Sequence, residues 1–229
     1  MSLSAIKKLM SGRREEQQLW SKIADLNGAC LEAVRGMENT YTFVASGDRQ
    51  SAIAEAQKTG VVAKKGMAIT REARRILPQT SLSPSARDDF TVILEALRCL
   101  LLSAKEGYGS LVQRRISPSI VSLLNDVKLQ YTLSKLFEKV TQTTVSLTEA
   151  INSLPNDPAK SSELSLSVKK MIEDVEAAKA YLLERLYEQE KSIDVLSIVQ
   201  LKDMISYESS LVVSFEACLE SVRVLATSK

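Results

Sequence analysis

Glycine and proline, the residues that most readily interrupt a helix, are scarce in this chain and confined to a few places. Eight glycines and five prolines occur among 229 residues. The segments between them are long and rich in Leu, Ala, Ser, Glu and Lys, a composition typical of long helices. A chain of this length can bury a substantial core without cross-links. We therefore expect an all-α protein.

Apolar residues recur three and four positions apart, which is the spacing of helices that pack lengthwise. Six long helices are predicted. In chain order, their apolar stripes run over Leu19–Val44, Val62–Ile76, Phe90–Leu111, Ile120–Ile151, Val168–Leu186 and Leu201–Val222. We predict that Pro118 opens the fourth helix, and that the fourth and sixth stripes each belong to one uninterrupted helix.

The order of helices and breaks is similar in the two halves of the chain. We interpret this as an internal duplication, with a first three-helix repeat over residues 1–115 and a second over residues 116–229. Two antiparallel three-helix units would then pack side by side and form one compact helical domain. The rival arrangement is a single coiled coil, but the turn residues divide the pattern too regularly for it.

The absence of histidine excludes several classes of catalytic and metal site. The chain can hold no Ser-His-Asp or Cys-His nucleophile, no His-ligated zinc and no Glu-x-x-His di-iron site. Cys30, Cys99 and Cys218 show no Cys-x-x-Cys spacing and lie in or beside apolar stripes. A carboxylate-only metal site or a Lys, Tyr or Glu catalyst remains open. Because the histidine-dependent classes are excluded, the chain is predicted not to be an enzyme, and no catalytic residues are assigned.

The charge and hydropathy of the chain limit the kinds of partner it can bind and indicate its cellular location. The formal net charge of +2 does not demand a polyanionic partner, and aromatic residues are too few for a typical nucleic-acid surface. We expect no nucleic-acid binding. The N-terminus lacks the apolar run of a signal peptide, and the longest apolar stretch, LRCLLLSA, is interrupted by Arg98 and too short to span a bilayer. We expect a cytoplasmic protein.

Three stretches of the chain resemble one known group of helical proteins. They are the opening SAIKKLMSGRREE, the segment LEALRCLLLSAKEGYGSLVQRR and, most strongly, AYLLERLYEQEKSIDVLSIVQLKDM. Together with the two tandem three-helix units, they resemble PhoU, the phosphate-uptake regulator. They are more similar still to its shorter relatives, the PhoU-like "DUF47" proteins associated with phosphate permeases. The resemblance in architecture covers nearly the whole chain.

The resemblance also implies metal sites made of carboxylates. Members of the group carry acidic pairs at i and i+4 on one helix and further acids on its neighbour, a donor set that suits divalent metals or iron. The corresponding positions here are Ala63, Met67, Leu102 and Lys105 in the first half and Ile172, Glu176, Val213 and Glu216 in the second. The candidate metal ligands are therefore Glu176 and Glu216, with Glu173 beside them, in a degraded site. The alternative is that these glutamates are solvated acids beside a helix seam.

A basic row lies on the predicted outer face of the second helix. Lys64, Arg71 and Arg75 are spaced at i, i+7 and i+11 and form a candidate partner-contact face. Acidic loops of a protein or anionic lipid head groups would suit it, and an ordinary solvated face is the alternative. Lys7, Lys8, Arg13 and Arg14 also suit peripheral contact with a membrane, in a segment too short to anchor.

Two stripe positions carry unexpected residues. Gly66 lies between Val62 and Ile69, where its missing side chain would let a neighbouring helix approach closely, at a helix-propensity cost of about 1 kcal/mol relative to alanine. Glu208 lies on the apolar stripe of the sixth helix and needs a partner if it is buried.

The leading functional hypothesis is a PhoU-like, non-enzymatic regulatory or accessory protein of phosphate uptake. Its implied partner is a membrane phosphate permease or the regulators of one, met at the inner face of the membrane. Long apolar seams also suit a homodimer. One alternative is a generic helical adaptor or scaffold whose partner is unrelated to phosphate, and the other is a protein that binds metal through carboxylates.

Overall fold

Helices make up nearly all of residues 3–113 and 118–227, the part of the chain that the computed structural model describes. The helices are α1 (Leu3–Ser46), α2 (Arg49–Ile76), α3 (Pro84–Gln113), α4 (Pro118–Leu123), α5 (Leu133–Ser153), α6 (Pro158–Glu188), α7 (Val195–Val213) and α8 (Phe215–Thr227). A 3-10 turn over Leu77–Gln79 follows α2. These ranges contain no β-strand, so the predicted all-α class is confirmed.

The first turn of the bundle, between α1 and α2, is built by a glycine and an aspartate. Gly47 ends α1 with a φ of 80°, a left-handed conformation that glycine adopts without strain. The side chain of Asp48 then accepts a hydrogen bond from the backbone N–H of Ser51 and caps α2. The chain can therefore reverse direction between the two helices within a few residues.

The predicted fourth helix is wrong as a single helix, because the chain leaves the helical conformation between Leu123 and Leu133. Asn125 holds this break: its Oδ1 accepts from both the backbone N–H and the hydroxyl of Ser134, each at 2.9 Å. Thr132 accepts from the backbone N–H of Lys135 and caps α5. Such side-chain bonds to the backbone compete with helix continuation. Val127, assigned to the apolar stripe, is 93% exposed here.

The predicted sixth helix is also divided, at Ser214, between α7 and α8. Three serines precede or occupy this break and donate their hydroxyls to carbonyls three residues earlier: Ser209 to Ser206, Ser210 to Tyr207 and Ser214 to Leu211. Serine hydroxyls that bond nearby carbonyls often bend a helix. The described residues thus form eight α-helices rather than six long ones.

The packing separates the helices into two groups that meet along a central layer. Helices α1, α2 and α3 pack against one another, and α6 packs against α5, α7 and α8. The groups join where α1 contacts α5 and where α3 contacts α7 and α8. Helices α2 and α6 consequently lie at the outer edges. The internal duplication and its boundary at 115/116 stay predictions.

Polar side chains join α1 to α5 across the middle of the bundle. Buried Asn27 donates its Nδ2 to Asn152 Oδ1 at 2.8 Å. The hydroxyl of Thr141 donates to Glu38 Oε2 at 2.6 Å. Because such bonds require particular partners, they fix the register between the two helices in a way that apolar contacts alone do not.

Tyr41 extends this contact to the start of α5. Its ring stacks on Phe137 with the centroids 4.2 Å apart and the planes 10° from parallel. Its hydroxyl accepts from Asn125 Nδ2 at 2.6 Å. Burial, first of all, raises the pKa of Tyr41. The break before α5 is therefore tied to α1.

The inner face of α2 consists of small residues. Its buried positions are Ala52, Ala56, Thr59, Gly60, Ala63, Gly66, Thr70 and Ala73. Val62, Ile69 and Ile76, predicted for the stripe, are half-buried. The close approach expected at Gly66 is confirmed, since a Cβ there would lie 2.6 Å from Leu101 Cδ1 and 3.2 Å from Ala29 Cβ. The small side chains bring α2 close to α1 and α3.

Gly36 on α1 offers a test of this close packing. A Cβ at Gly36 would overlap the hydroxyl of Thr59 and lie 3.1 Å from its Cβ, and a β-branched side chain has few alternative rotamers. We expect Gly36→Ala to lower the free energy of unfolding by up to about 2 kcal/mol, because the overpacking cost of about 1–3 kcal/mol outweighs the gain of about 1 kcal/mol in helix propensity. Urea unfolding followed by circular dichroism measures the change.

Gly28→Ala is the matched control on the same helix. A Cβ at Gly28 would meet nothing within 4 Å. This variant should gain about 1 kcal/mol from helix propensity alone. Equal effects of the two substitutions would show that α1 and α2 are not in close contact at Gly36.

Candidate functional site

The positions that the resemblance assigned to metal ligands are mostly without donor atoms. Ala63 and Ile172 are buried in the core, and Met67, Leu102 and Lys105 are half-buried. The side chain of Val213 lies outside the described residues. Of the eight positions, carboxylates remain at two, Glu176 and Glu216, and both are exposed. This set does not fit the paired carboxylates of a hard-cation site.

The three predicted ligands do not gather. Residues 3–113 and 118–227 contain no group of three or more His, Cys, Asp or Glu side chains that could hold a metal ion. Glu173 is exposed on α6, and Glu216 instead lines a groove of ≈ 250 Å³ between α6 and α8. Glu220, Lys169 and Arg223 share that groove, so its charges are mixed. The metal-binding role of Glu173, Glu176 and Glu216 stays a prediction.

The basic row of α2 lies at the outer edge of the bundle. Lys64, Arg71 and Arg75 are exposed, and within the described parts of the chain none of them forms a salt bridge. Lys65, beside Lys64, is likewise exposed. Four cations on one helix are thus free to meet an external anion. Of the N-terminal cations, Arg13 and Arg14 are exposed, while the side chains of Lys7 and Lys8 lie outside the described residues.

Other cations of this region are paired. Lys22 contacts Glu72 at 2.6 Å, which lowers the pKa of that carboxyl. Arg74 and Arg98 both bond Glu95, and Arg98 first, with Arg74, lowers the pKa of Glu95 to about 2. The exposed row therefore stands out from its neighbours, because the acids nearby are already engaged.

A second feature lies at the centre of the bundle, at Glu208 on α7. The side chain is fully buried, and neither carboxyl oxygen has a hydrogen-bond partner among the described residues. Burial, first, and the nearby charge of Glu38 raise the pKa of Glu208 well above its ordinary range. Burying a carboxyl that has no cation or hydrogen-bond donor nearby costs less free energy when the carboxyl is neutral than when it is charged.

Residues of α1 and α3 lie near Glu208 or its neighbour Tyr207. Glu38 on α1 is half-buried and bonded to Thr141 on α5. A Cβ added to Gly107 on α3 would lie 2.6 Å from Met37 Cε and 3.5 Å from Tyr207 Cβ, so the residues next to the two carboxyls lie beside the same glycine. The sequence identified Glu208 but not Glu38. The missed signal is that Glu38 directly follows a stripe residue, Met37.

Comparisons with known proteins find the fold but no close relative. A scan against models of protein families finds no match, and neither does a search of curated proteins. Among solved structures, the chain is similar to a PhoU-like protein from Shewanella oneidensis MR-1, with a TM-score of 0.77 and 14% identity over 92% of this chain and 100% of that one. A second structure from that organism, described as a PhoU-like phosphate regulatory protein, gives 0.76 and 13% over the same shares.

These likenesses confirm the fold that the sequence resemblance implied. Over almost its whole length the chain has the helical architecture of PhoU-like proteins. Separately, no helix within the described residues has the length and apolar character needed to cross a bilayer.

Glu208 makes the stability of the protein depend on pH. Its pKa is raised in the folded state, so above the ordinary glutamate pKa the folded chain holds a proton that the unfolded chain has released. The free energy of unfolding should therefore fall as pH rises from the ordinary pKa toward the folded one, by at most about 1.4 kcal/mol per pH unit. Glu208→Gln should remove this dependence and be more stable than the parent at neutral pH, as measured by urea unfolding across pH.

Glu176→Gln serves as the control, because Glu176 is exposed and its replacement should leave the pH profile unchanged. Glu208→Met tests burial directly: an apolar side chain of similar length should stabilise the protein at every pH. A parent and a Glu208→Gln variant with parallel pH profiles would contradict the neutral, buried carboxyl.

Proposed function

We propose that this chain, which shares the fold of PhoU-like proteins, is a non-enzymatic regulatory or accessory protein of inorganic phosphate uptake. It acts through contacts between its helical faces and a membrane phosphate permease or the regulators of that permease. The observation that carries the proposal is the likeness in fold to a protein described as a PhoU-like phosphate regulatory protein, which spans the full length of that protein.

The chemistry of the chain supports a role without catalysis. Histidine is absent, and the described residues hold no cluster of donors for a catalytic metal. Glu208, the most perturbed carboxyl, is sealed from solvent, so it cannot reach a substrate. The protein therefore meets other molecules through its surface. The exposed cations of α2 are the most distinctive feature of that surface.

The proposed location follows from the proposed partner. A protein that contacts the cytoplasmic side of a permease works in the cytoplasm, peripheral to the inner face of the membrane. Exposed Arg13 and Arg14 suit that position, because the cytoplasmic leaflet is anionic.

A second candidate function is a helical adaptor whose partner is unrelated to phosphate. It is favoured by one observation, that core residues such as Ala63 and Ile172 occupy positions where the resemblance places metal ligands. A chain that has exchanged those ligands for packing residues can also have exchanged its partner.

Co-purification separates the two candidates. We expect affinity-tagged protein, cross-linked in its own cells and extracted in mild detergent, to recover a phosphate permease or a regulator of one, identified by mass spectrometry. An unrelated permease of similar abundance is the control. If the phosphate system is recovered no better than that control while another protein is enriched, the adaptor function replaces the proposed one.

Metal analysis tests the remaining alternative, a protein that binds metal through carboxylates. We expect purified protein to carry no stoichiometric iron, zinc, manganese or magnesium by plasma mass spectrometry, because Glu173, Glu176 and Glu216 do not converge. The triple variant Glu173→Gln/Glu176→Gln/Glu216→Gln should give the same metal content as the parent. A stoichiometric metal that the triple variant loses would establish the metal site instead.

A further inference from the structure

The outer face of α2 has a narrow apolar line along its centre. Val61 is 66% exposed, and Ala54 and Ala68 lie seven residues before and after it. Residues spaced by seven fall almost on one line of a helix, so these three side chains follow the helix axis. Ala54 is exposed and Ala68 half-buried, which leaves the line open to solvent along its length.

Cations flank this line on both sides. The 3.6-residue period places Lys58 and Lys65 on one side and Lys64, Arg71 and Arg75 on the other. All five are exposed, and within residues 3–113 and 118–227 only Lys58 forms a salt bridge, with Glu55 at 3.7 Å, while the charge of Arg75 also acts on Glu72. A seam of small apolar residues with charges at its borders is the pattern by which one helix of a coiled coil selects its partner.

The same face is unsuited to insertion into lipid. Val61 is the one large apolar side chain of α2 that is exposed. A helix that lies in a membrane interface buries a wide apolar face, whereas a paired helix needs a narrow seam and complementary charges at the flanks. The charges of α2 therefore favour a helix with carboxylates on both borders.

The inner face of α2 makes it a rigid platform. Its small residues pack closely enough that a Cβ at Gly66 would overlap Leu101 and one at Gly36 would overlap Thr59. This close packing holds α2 against both α1 and α3. Binding to a surface that is already ordered costs less conformational entropy than binding to one that must first be ordered.

We propose that the outer face of α2 docks an acidic amphipathic helix of a protein partner. Apolar side chains of that helix pack along Ala54, Val61 and Ala68, and its carboxylates lie beside Lys58, Lys65, Lys64, Arg71 and Arg75. The inference rests on the proposed function, because it names the kind of segment through which a regulated partner is contacted.

The probe for this surface is a synthetic fluorescein-labelled helical peptide of four heptads, with leucine along the seam and glutamate on both borders. A second peptide carries lysine in place of glutamate. Fluorescence anisotropy with the full-length protein measures both affinities at low and at physiological ionic strength. We expect the acidic peptide to bind at least about tenfold more tightly than the basic one, and the difference to shrink as salt screens the charges.

Charge reversal locates the binding on α2. Lys64→Glu/Arg71→Glu/Arg75→Glu should lose the acidic peptide and gain the basic one, which a misfolded protein would not do. The matched control, Lys170→Glu/Lys191→Glu/Lys202→Glu, reverses three exposed lysines of the other helix group and should bind like the parent. Val61→Ser should weaken the binding of the acidic peptide without changing the preference for the acidic peptide over the basic one.

Three results would overturn the docking surface: equal affinity for the two peptides, binding unaffected by reversal on α2, or binding to phosphatidylserine vesicles that the acidic peptide does not displace.

The outcome of this test can be distinguished from the outcome of the test of the proposed function. Peptide binding without recovery of a phosphate permease removes only the proposed function. Recovery of the permease by the α2 reversal variant as well as by the parent removes only the docking surface.

Discussion

The register between α1 and α5 is the constraint on which most of the structure depends. α1 is the longest helix, at 44 residues, and it contacts helices of both groups. Its polar bonds to Asn152 and Thr141 are discrete, so a shift by one helical turn would leave buried polar groups without partners. The same register holds Tyr41 over Phe137. The break before α5 is thus tied to the same helix contact through Tyr41.

The two outer helices meet different demands from those of the central layer. The fully buried side chains of α2 are Ala, Gly and Thr, and its larger apolar residues, such as Val62 and Ile69, are only half-buried against the core. Its attachment depends on close contact with α1 and α3, where many weak dispersion contacts add up. This division leaves the outward side of α2 without a structural task. Its charges can therefore be devoted to recognition, while the charges of Glu72 and Glu95 bind the neighbouring helices together.

Local sequence signals predicted a large part of this fold and less of its interior chemistry. The α1 stripe from Leu19 to Tyr41 follows from the spacing of apolar residues, and the close approach at Gly66 follows from glycine. The break at Asn125 was missed because one of its partners, Tyr41, lies 84 residues away. The α2 stripe was located correctly but not its most buried members, because the deepest positions hold small residues while Val62 and Ile69 are half-buried. The proximity of Glu38 to Glu208 depends on tertiary register, which no local pattern contains.

The small-residue face of α2 has a consequence for how such a chain can diverge. On most core surfaces one aliphatic residue can replace another, and sequences drift while hydrophobicity is kept. On this face the constraint is an upper limit on volume, so only small residues are tolerated, and Gly60 and Gly66 leave no room for a Cβ unless Tyr108 or Leu101 moves. Sequences that share the fold would keep a run of such residues at three- and four-residue spacing even where every larger residue has changed. A pattern of that kind, rather than percentage identity, is the trace by which distant relatives of this helix can be found.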